Sequence, residues 1–189
     1  MRITGGLARG IPLGLPKGES VRPATDALRQ AVFSSLAACV PGCRFLDLFA
    51  GSGAYGLEAW SRGAGAGIFV ERDDRTAGFI RQNIAAVGKS MGRVPAGLQV
   101  ITGDAATVNW GPAPDLVFVD PPYEQIPEIA PRIFSRLAGF LPDRPDLVVV
   151  FEMPGVMELA PPGWSCRKRL GKGSRQPTAC LFKADSASP

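Results

Sequence analysis

The sequence predicts an α/β fold of the Rossmann-like kind, a mostly parallel sheet with helices on both faces. Two short, nearly all-apolar runs, Leu116-Val117-Phe118-Val119 and Leu147-Val148-Val149-Val150-Phe151, read as strands buried on both sides. Strand-like and helix-like segments alternate through the middle of the chain. Gly51, Gly53 and Gly56 form a G-x-G-x-x-G turn that follows a strand and opens a helix.

The 189 residues suit one domain with a real core, and 46% hydrophobic with 20% charged residues is ordinary for a soluble globular protein. No apolar run approaches the roughly 18 residues of a membrane span, and the first residues hold no apolar signal core. A cytoplasmic location is the expectation. Cys39, Cys43, Cys166 and Cys180 form no CxxC and have no histidine near them, so packed or incidental thiols are expected, and no metal. The absence of histidine excludes mechanisms that need an imidazole base, including Ser-His-Asp and Cys-His nucleophiles.

Charge is segregated. Residues 1–44 carry net +4, residues 45–163 net −5 and residues 164–183 net +6, and Asp185 brings the chain to +4. An acidic middle flanked by basic ends suggests a polyanionic partner, nucleic acid foremost.

Taken in order, residues 1–20 form a basic Gly- and Pro-rich extension, read as an extended arm or a small hairpin. Thr25 or Asp26 caps a helix whose Leu28, Val32, Phe33 and Leu36 pack inward, with Arg22 and Arg29 flanking its start. A helix N-terminus accommodates anions, so these residues can meet a carboxylate or phosphate; a plain cap in solvent is the bland alternative. Residues 44–49 are the first core strand, and the glycine turn then allows a ligand close to the backbone and a helix close to the strand. That turn fits a dinucleotide fingerprint equally well, with Glu71, twenty residues after Gly51, as the ribose-binding acid. Asp47 discriminates. A carboxylate in the strand end repels a pyrophosphate but welcomes the ammonium of an amino acid, which tilts the turn toward S-adenosylmethionine.

Residues 67–71 are the second strand, and Glu71 at its end can grip both ribose hydroxyls or simply be a solvated acid. Asp73 or Asp74 caps a third helix that Gly88 closes. Residues 98–101 are the third strand, and Asp104, with Ala105, can accept from an adenine amino group, although Gly-Asp is also a common turn. Residues 125–141 form a helix that Pro131 should kink or split. Residues 164–170 and 177–182 pair as an antiparallel hairpin at an edge of the sheet, and the tail 184–189 is expected to be disordered.

Asp120-Pro121-Pro122-Tyr123 follows the strand 116–119, at the carboxyl edge where parallel sheets open a crevice. Two prolines donate no N–H, which leaves carbonyls, a carboxylate and an aromatic face. This set suits a planar group that carries N–H bonds.

At these residues the chain resembles a known family. Asp47-Leu48-Phe49-Ala50-Gly51-Ser52-Gly53, with Gly56-Leu57-Glu58-Ala59 and Ser61-Arg62-Gly63-Ala64, is similar to the cofactor motif of the bacterial small-subunit rRNA guanine-N2 methyltransferases. Arg22-Pro23-Ala24-Thr25-Asp26 with Arg29 resembles the N-terminal motif of that family, whose third residue is more often threonine, and Asp120-Pro121-Pro122-Tyr123 is its amino-methyltransferase motif. The likeness runs over residues 1–183, with a methyltransferase domain from 21 to 183. Leu170-Gly171 departs from the family's frequent Tyr-Gly.

The resemblance implies a class I methyltransferase sheet of seven strands and S-adenosylmethionine as donor. It implies a guanine amine of 16S rRNA, free or in the 30S particle, as acceptor, and a monomer without a metal. Asp47, Gly51 and Gly53 would line the methionine end of the cofactor, Glu71 would hold the ribose, and Asp104 with Ala105 would flank the adenine. Phe49, Ala50 and Arg72 would also be cofactor-binding. Arg22, Thr25, Asp26 and Arg29 would contact substrate. Asp120 and the Pro121 carbonyl would accept from the amine, with Pro122 shaping the loop and Tyr123 stacking on the base. Three rivals use parts of this pattern: a DNA adenine-N6 methyltransferase, a nicotinamide dehydrogenase, and a non-catalytic RNA-binding assembly protein.

Overall fold

A computed structural model describes residues 1–16, 26–171, 173, 174 and 176–185. Arg22 and Thr25 lie outside these residues, as does the tail beyond Asp185. Seven strands form a single sheet: β1 (Arg44–Leu48), β2 (Ala66–Glu71), β3 (Leu98–Thr102), β4 (Leu116–Val119), β5 (Val148–Pro154), β6 (Trp164–Leu170) and β7 (Pro177–Ala184). Their order is β3-β2-β1-β4-β5-β7-β6. Strands β1 to β5 pair in parallel, while β7 is antiparallel to both β5 and β6. The expected hairpin therefore closes one edge, with β6 outermost. The chain leaves β1 in one direction and returns to β4 on its other side, so the topological switch point lies between β1 and β4.

Side chains alternate across the buried strands, and two cores result. Phe45, Phe69, Phe118 and Val150 face α1 (Asp26–Ser35), α2 (Ala54–Ser61) and α3 (Asp74–Met91). Leu46, Leu48, Val117, Val119 and Val149 face α4 (Ile126–Ala138), which buries Ile126, Ile129, Ile133, Phe134 and Leu137. Among the described residues, no helix is long and apolar enough to cross a membrane.

The N-terminal segment resolves to the hairpin alternative. Arg2 bridges Pro12 in antiparallel fashion, and the Ile3 N–H donates to the Ile11 carbonyl at 2.9 Å. Ile3 is fully buried, so this segment is part of the core.

Two expectations about helices need correction. Helix α3 does not close at Gly88 but runs to Met91, and Gly92, at φ 63°, caps it. Gly88 serves packing instead, because a Cβ there would stand 3.0 Å from the Trp60 ring. Pro131 does not split α4, which runs unbroken from Ile126 to Ala138. The proline removes one hydrogen bond in the second turn, and the buried apolar face on both sides of it holds the helix. Strand β5 also runs past Phe151 to Pro154, which brings Glu152 into the sheet.

Candidate active site

The site lies at the carboxyl ends of β1, β2, β3 and β4, around a cavity of about 940 Å³. That volume is at the large end of the range for small-molecule sites. Asp47, Phe49, Ala50, Gly51, Glu71, Arg72, Asp104, Ala105, Asp120, Pro121, Pro122, Tyr123 and Arg29 all border it. Residues from four strand ends, named from separate stretches of sequence, thus share one wall.

The turn after β1 is held under strain. Phe49 has φ 62°, a left-handed value that costs a non-glycine residue about 1–3 kcal/mol. Gly51 and Gly53, at φ 53° and 77°, carry the backbone back toward α2. Gly53 is not among the residues bordering the cavity; it stands at the start of α2. The last glycine of the pattern packs: a Cβ on Gly56 would lie 2.4 Å from the Phe69 ring and 2.6 Å from the Phe45 ring.

Both oxygens of Glu71 already accept backbone N–H groups, from Gly51 at 2.8 Å and from Asp73 at 2.9 Å. A carboxylate has about four acceptor positions, so capacity remains for hydroxyls. Asp104 is exposed and accepts from Ala106 N–H at 2.7 Å, which tightens the loop after β3. Arg72 is exposed at the rim.

Asp47 is buried and accepts from the Gly56 N–H at 2.9 Å. Burial pushes its carboxyl up to about 8, against the lowering effect of the Gly56 N–H, and the charge of Glu71 adds to the rise. Asp120 is held well above the usual carboxylate range by loss of water and then by the charges of Glu152 and Asp47. After it, Pro122 opens a short 3-10 turn over Tyr123–Gln125, and Gln125 N–H donates to the Pro122 carbonyl at 2.9 Å. The Pro121 carbonyl accepts from no backbone N–H of the described residues.

Arg29, read from sequence as a carboxylate or phosphate contact, is fully buried. Its Nη2 donates to Asp26 at 2.7 Å and to the Arg2 carbonyl at 2.6 Å, and its Nε lies 3.5 Å from Glu58. Its Nη1 is buried with no hydrogen-bond partner among the described residues, and Arg29 borders the cavity. Asp26 begins α1, where it pairs with Arg29 and with Arg2 at 3.6 Å.

Sequence reasoning assigned no role to several residues that border or support this wall. Tyr55, in the first turn of α2, donates its hydroxyl to Glu152 at 2.8 Å, and its ring stacks on Phe118 at 5.1 Å. Glu152 lies in β5 one residue past Phe151, which pairs with Val119, so it stands beside Asp120, and the positional rule that singled out Asp120 would also have found it. Asn83 donates to the Ser52 carbonyl and the Gly14 carbonyl, each at 2.9 Å, joining α3, the glycine turn and the N-terminal segment. Arg136, from α4, donates to the carbonyls of Ala105 and Val108 and lies 3.7 Å from the Trp110 ring centroid. None of these last residues belongs to a pattern visible in one stretch of chain.

Over 177 residues the chain is 31% identical to ribosomal RNA small subunit methyltransferase D of Escherichia coli K12, covering 92% of this chain and 85% of that protein. The profile of a family described as "Conserved hypothetical protein 95" matches residues 1–176. The chain belongs to this methyltransferase D family. The solved structure of yhhF from Escherichia coli, presented as a candidate methyltransferase, superposes with a TM-score of 0.75 at 28% identity over 98% of each chain. A hypothetical protein of Thermus thermophilus superposes with a TM-score of 0.72 at 27% identity, over 97% of this chain and 99% of that one. The family match spans the N-terminal hairpin and the sheet as far as β6, and the yhhF superposition covers 98% of this chain.

Proposed function

We propose that this protein transfers a methyl group from S-adenosylmethionine to the exocyclic N2 amine of a guanine in small-subunit rRNA. The observation that carries this reading is the placement of Asp120 and of the Pro121 carbonyl, which accepts from no backbone N–H of the described residues, at the switch point, on the same cavity as Asp47, the glycine turn and Glu71.

The residues present fit the cofactor. Arg29 Nη1 is a buried donor without a partner among the described residues, which suits the carboxylate of a bound amino acid. Asp47 is a buried carboxyl that suits its ammonium, and the turn at Gly51 leaves room for close approach. Glu71 would take the ribose hydroxyls, and the loop at Asp104 and Ala105 would hold the adenine. When bound, S-adenosylmethionine supplies an electrophilic methyl group on a sulfonium.

A guanine N2 lone pair is delocalised into the ring and is a poor nucleophile. Asp120 and the Pro121 carbonyl accept from the amine hydrogens, localise the lone pair and stabilise the positive charge that grows on nitrogen. Tyr123 offers a ring for stacking, worth about 1–3 kcal/mol per base. A base in folded RNA must first be splayed out to reach this depth. The substrate class is supported by charge. Strand β6 runs in the same direction as β5, so Arg169 at its end lies on the crevice edge, next to exposed Arg167 and Lys168.

The test offers labelled S-adenosylmethionine with unmodified 30S particles, naked 16S rRNA and duplex DNA in parallel. Label in rRNA, mapped to guanine N2, is the expected result. Label in DNA alone would replace this reading with adenine-N6 methylation, which the same acceptors could serve.

A further inference from the structure

The cavity wall concentrates negative charge. In the sheet register Phe118 pairs with Asp47 and with Val150, and Val119 with Phe151. Because side chains alternate, Asp47, Asp120 and Glu152 project from one face of the sheet at its carboxyl edge. Glu152 is 1% exposed and Asp47 2%.

The groups that face them are few. From α2, Tyr55 donates to Glu152 at 2.8 Å. From α1 comes Arg29, already engaged by Asp26 and Glu58. From β2, Glu71 adds a further negative charge near Asp47. From β7, Ala179 pairs with Glu152 between Thr178 and Cys180, and brings no ion. Three carboxyls therefore share a poorly hydrated space, and the buried Arg29 beside them is already matched by Asp26 and Glu58. Such groups retain protons near neutrality and titrate as a set.

We propose that Asp120 and Glu152 share a proton in the cofactor-free protein, and that binding of the cationic cofactor drives this proton into solvent. Asp120 then becomes a full acceptor for the amine only when the methyl donor is in place. Glu152 is a positioning residue that acts through Asp120, and Tyr55 orients it. The step breaks one O–H bond, and the proton passes to buffer. This inference rests on the cofactor reading above. The raised values at all three carboxyls, with Glu152 pushed up to about 7, agree with it.

The test is calorimetric titration of the full-length protein near pH 7, in buffers of different ionisation enthalpy. S-adenosylmethionine and the uncharged-sulfur analogue S-adenosylhomocysteine serve as separate ligands. The wild-type protein should release more protons with the sulfonium than with the analogue. Glu152→Gln keeps an oxygen to accept from Tyr55, and it should cut that difference to less than about half. The acid limb of its kcat profile should also move about one unit lower, because Asp120 loses a negative neighbour. Tyr55→Phe keeps both carboxyls but removes the donor that favours the charged form of Glu152. It should raise the pH at which proton release is half complete. Unchanged release in either folded variant overturns the proposal. A wild-type protein that gives no binding heat with S-adenosylmethionine overturns the cofactor reading itself.

Discussion

At the scale of single residues, the chemistry turns on where carboxyls are placed and how little water they keep. Asp120 combines a raised pKa, a crevice position and a neighbouring carbonyl that accepts from no backbone N–H of the described residues. Asp120→Ala should lower kcat for rRNA methylation by about 10²–10³, while the Kd for S-adenosylmethionine changes far less. Near-normal turnover would remove Asp120 from its role. The same burial has a cost in stability. Folding raises Asp47 to about 8 and Glu152 to about 7, far above the usual range near 4, so between these limits the folded protein binds more protons than the unfolded chain. Stability is then fully present at low pH and is lost as pH rises through the folded values. The thermal midpoint of the cofactor-free protein should fall from pH 5 to pH 8, and Asp47→Asn should flatten that slope. A midpoint that rises over this interval would contradict the assignment.

At the scale of elements, the two halves of the site are tied together by a helix that borders only one of them. Helix α4 follows directly from Asp120-Pro121-Pro122-Tyr123, and its Arg136 grips the loop after β3 at the Ala105 and Val108 carbonyls. Trp110 reinforces that loop by donating to Ala105 at 2.8 Å and by lying beneath the guanidinium. Two charge-assisted hydrogen bonds and a cation–π contact are worth about 1–2 kcal/mol of loop order. Arg136→Leu should therefore raise the Kd for S-adenosylmethionine about tenfold and alter kcat much less, measured by calorimetry and steady-state assay. Equal affinity in the variant would show that the loop holds its shape without Arg136.

At the scale of the whole molecule, Glu58 joins three parts of the chain. It is fully buried in α2 and accepts from Thr4 N–H at 2.7 Å, Thr4 hydroxyl at 2.8 Å and Arg62 Nε at 2.8 Å, with Arg29 Nε at 3.5 Å. The N-terminal hairpin, α1 and α2 meet on this one carboxylate. Glu58→Ala leaves a buried guanidinium short of a counter-charge and should cost about 3–5 kcal/mol in urea unfolding. A loss under about 1 kcal/mol would show that apolar contacts of the hairpin, such as Ile3, suffice.

The strands, the glycine turn and the acids at strand ends were legible in the sequence because each is a local signal. Apolar runs mark buried strands, glycine marks a turn, and a carboxylate after a buried strand marks the crevice edge of a parallel sheet. Asp47, Glu71, Asp104 and Asp120 were found this way, from four separate stretches of chain. Glycine at 88 misled, and proline at 131 does not split its helix, because packing against Trp60 and along α4 overrides local propensity. Tertiary structure alone decided the rest. Arg29, Tyr55, Glu58, Asn83, Arg136 and Glu152 owe their roles to partners distant in sequence, as in the 97-residue separation between Tyr55 and Glu152. The physical reason is range. Propensity and turn chemistry act over a few residues, whereas burial, desolvation and ion pairing depend on what the closed fold brings against a side chain.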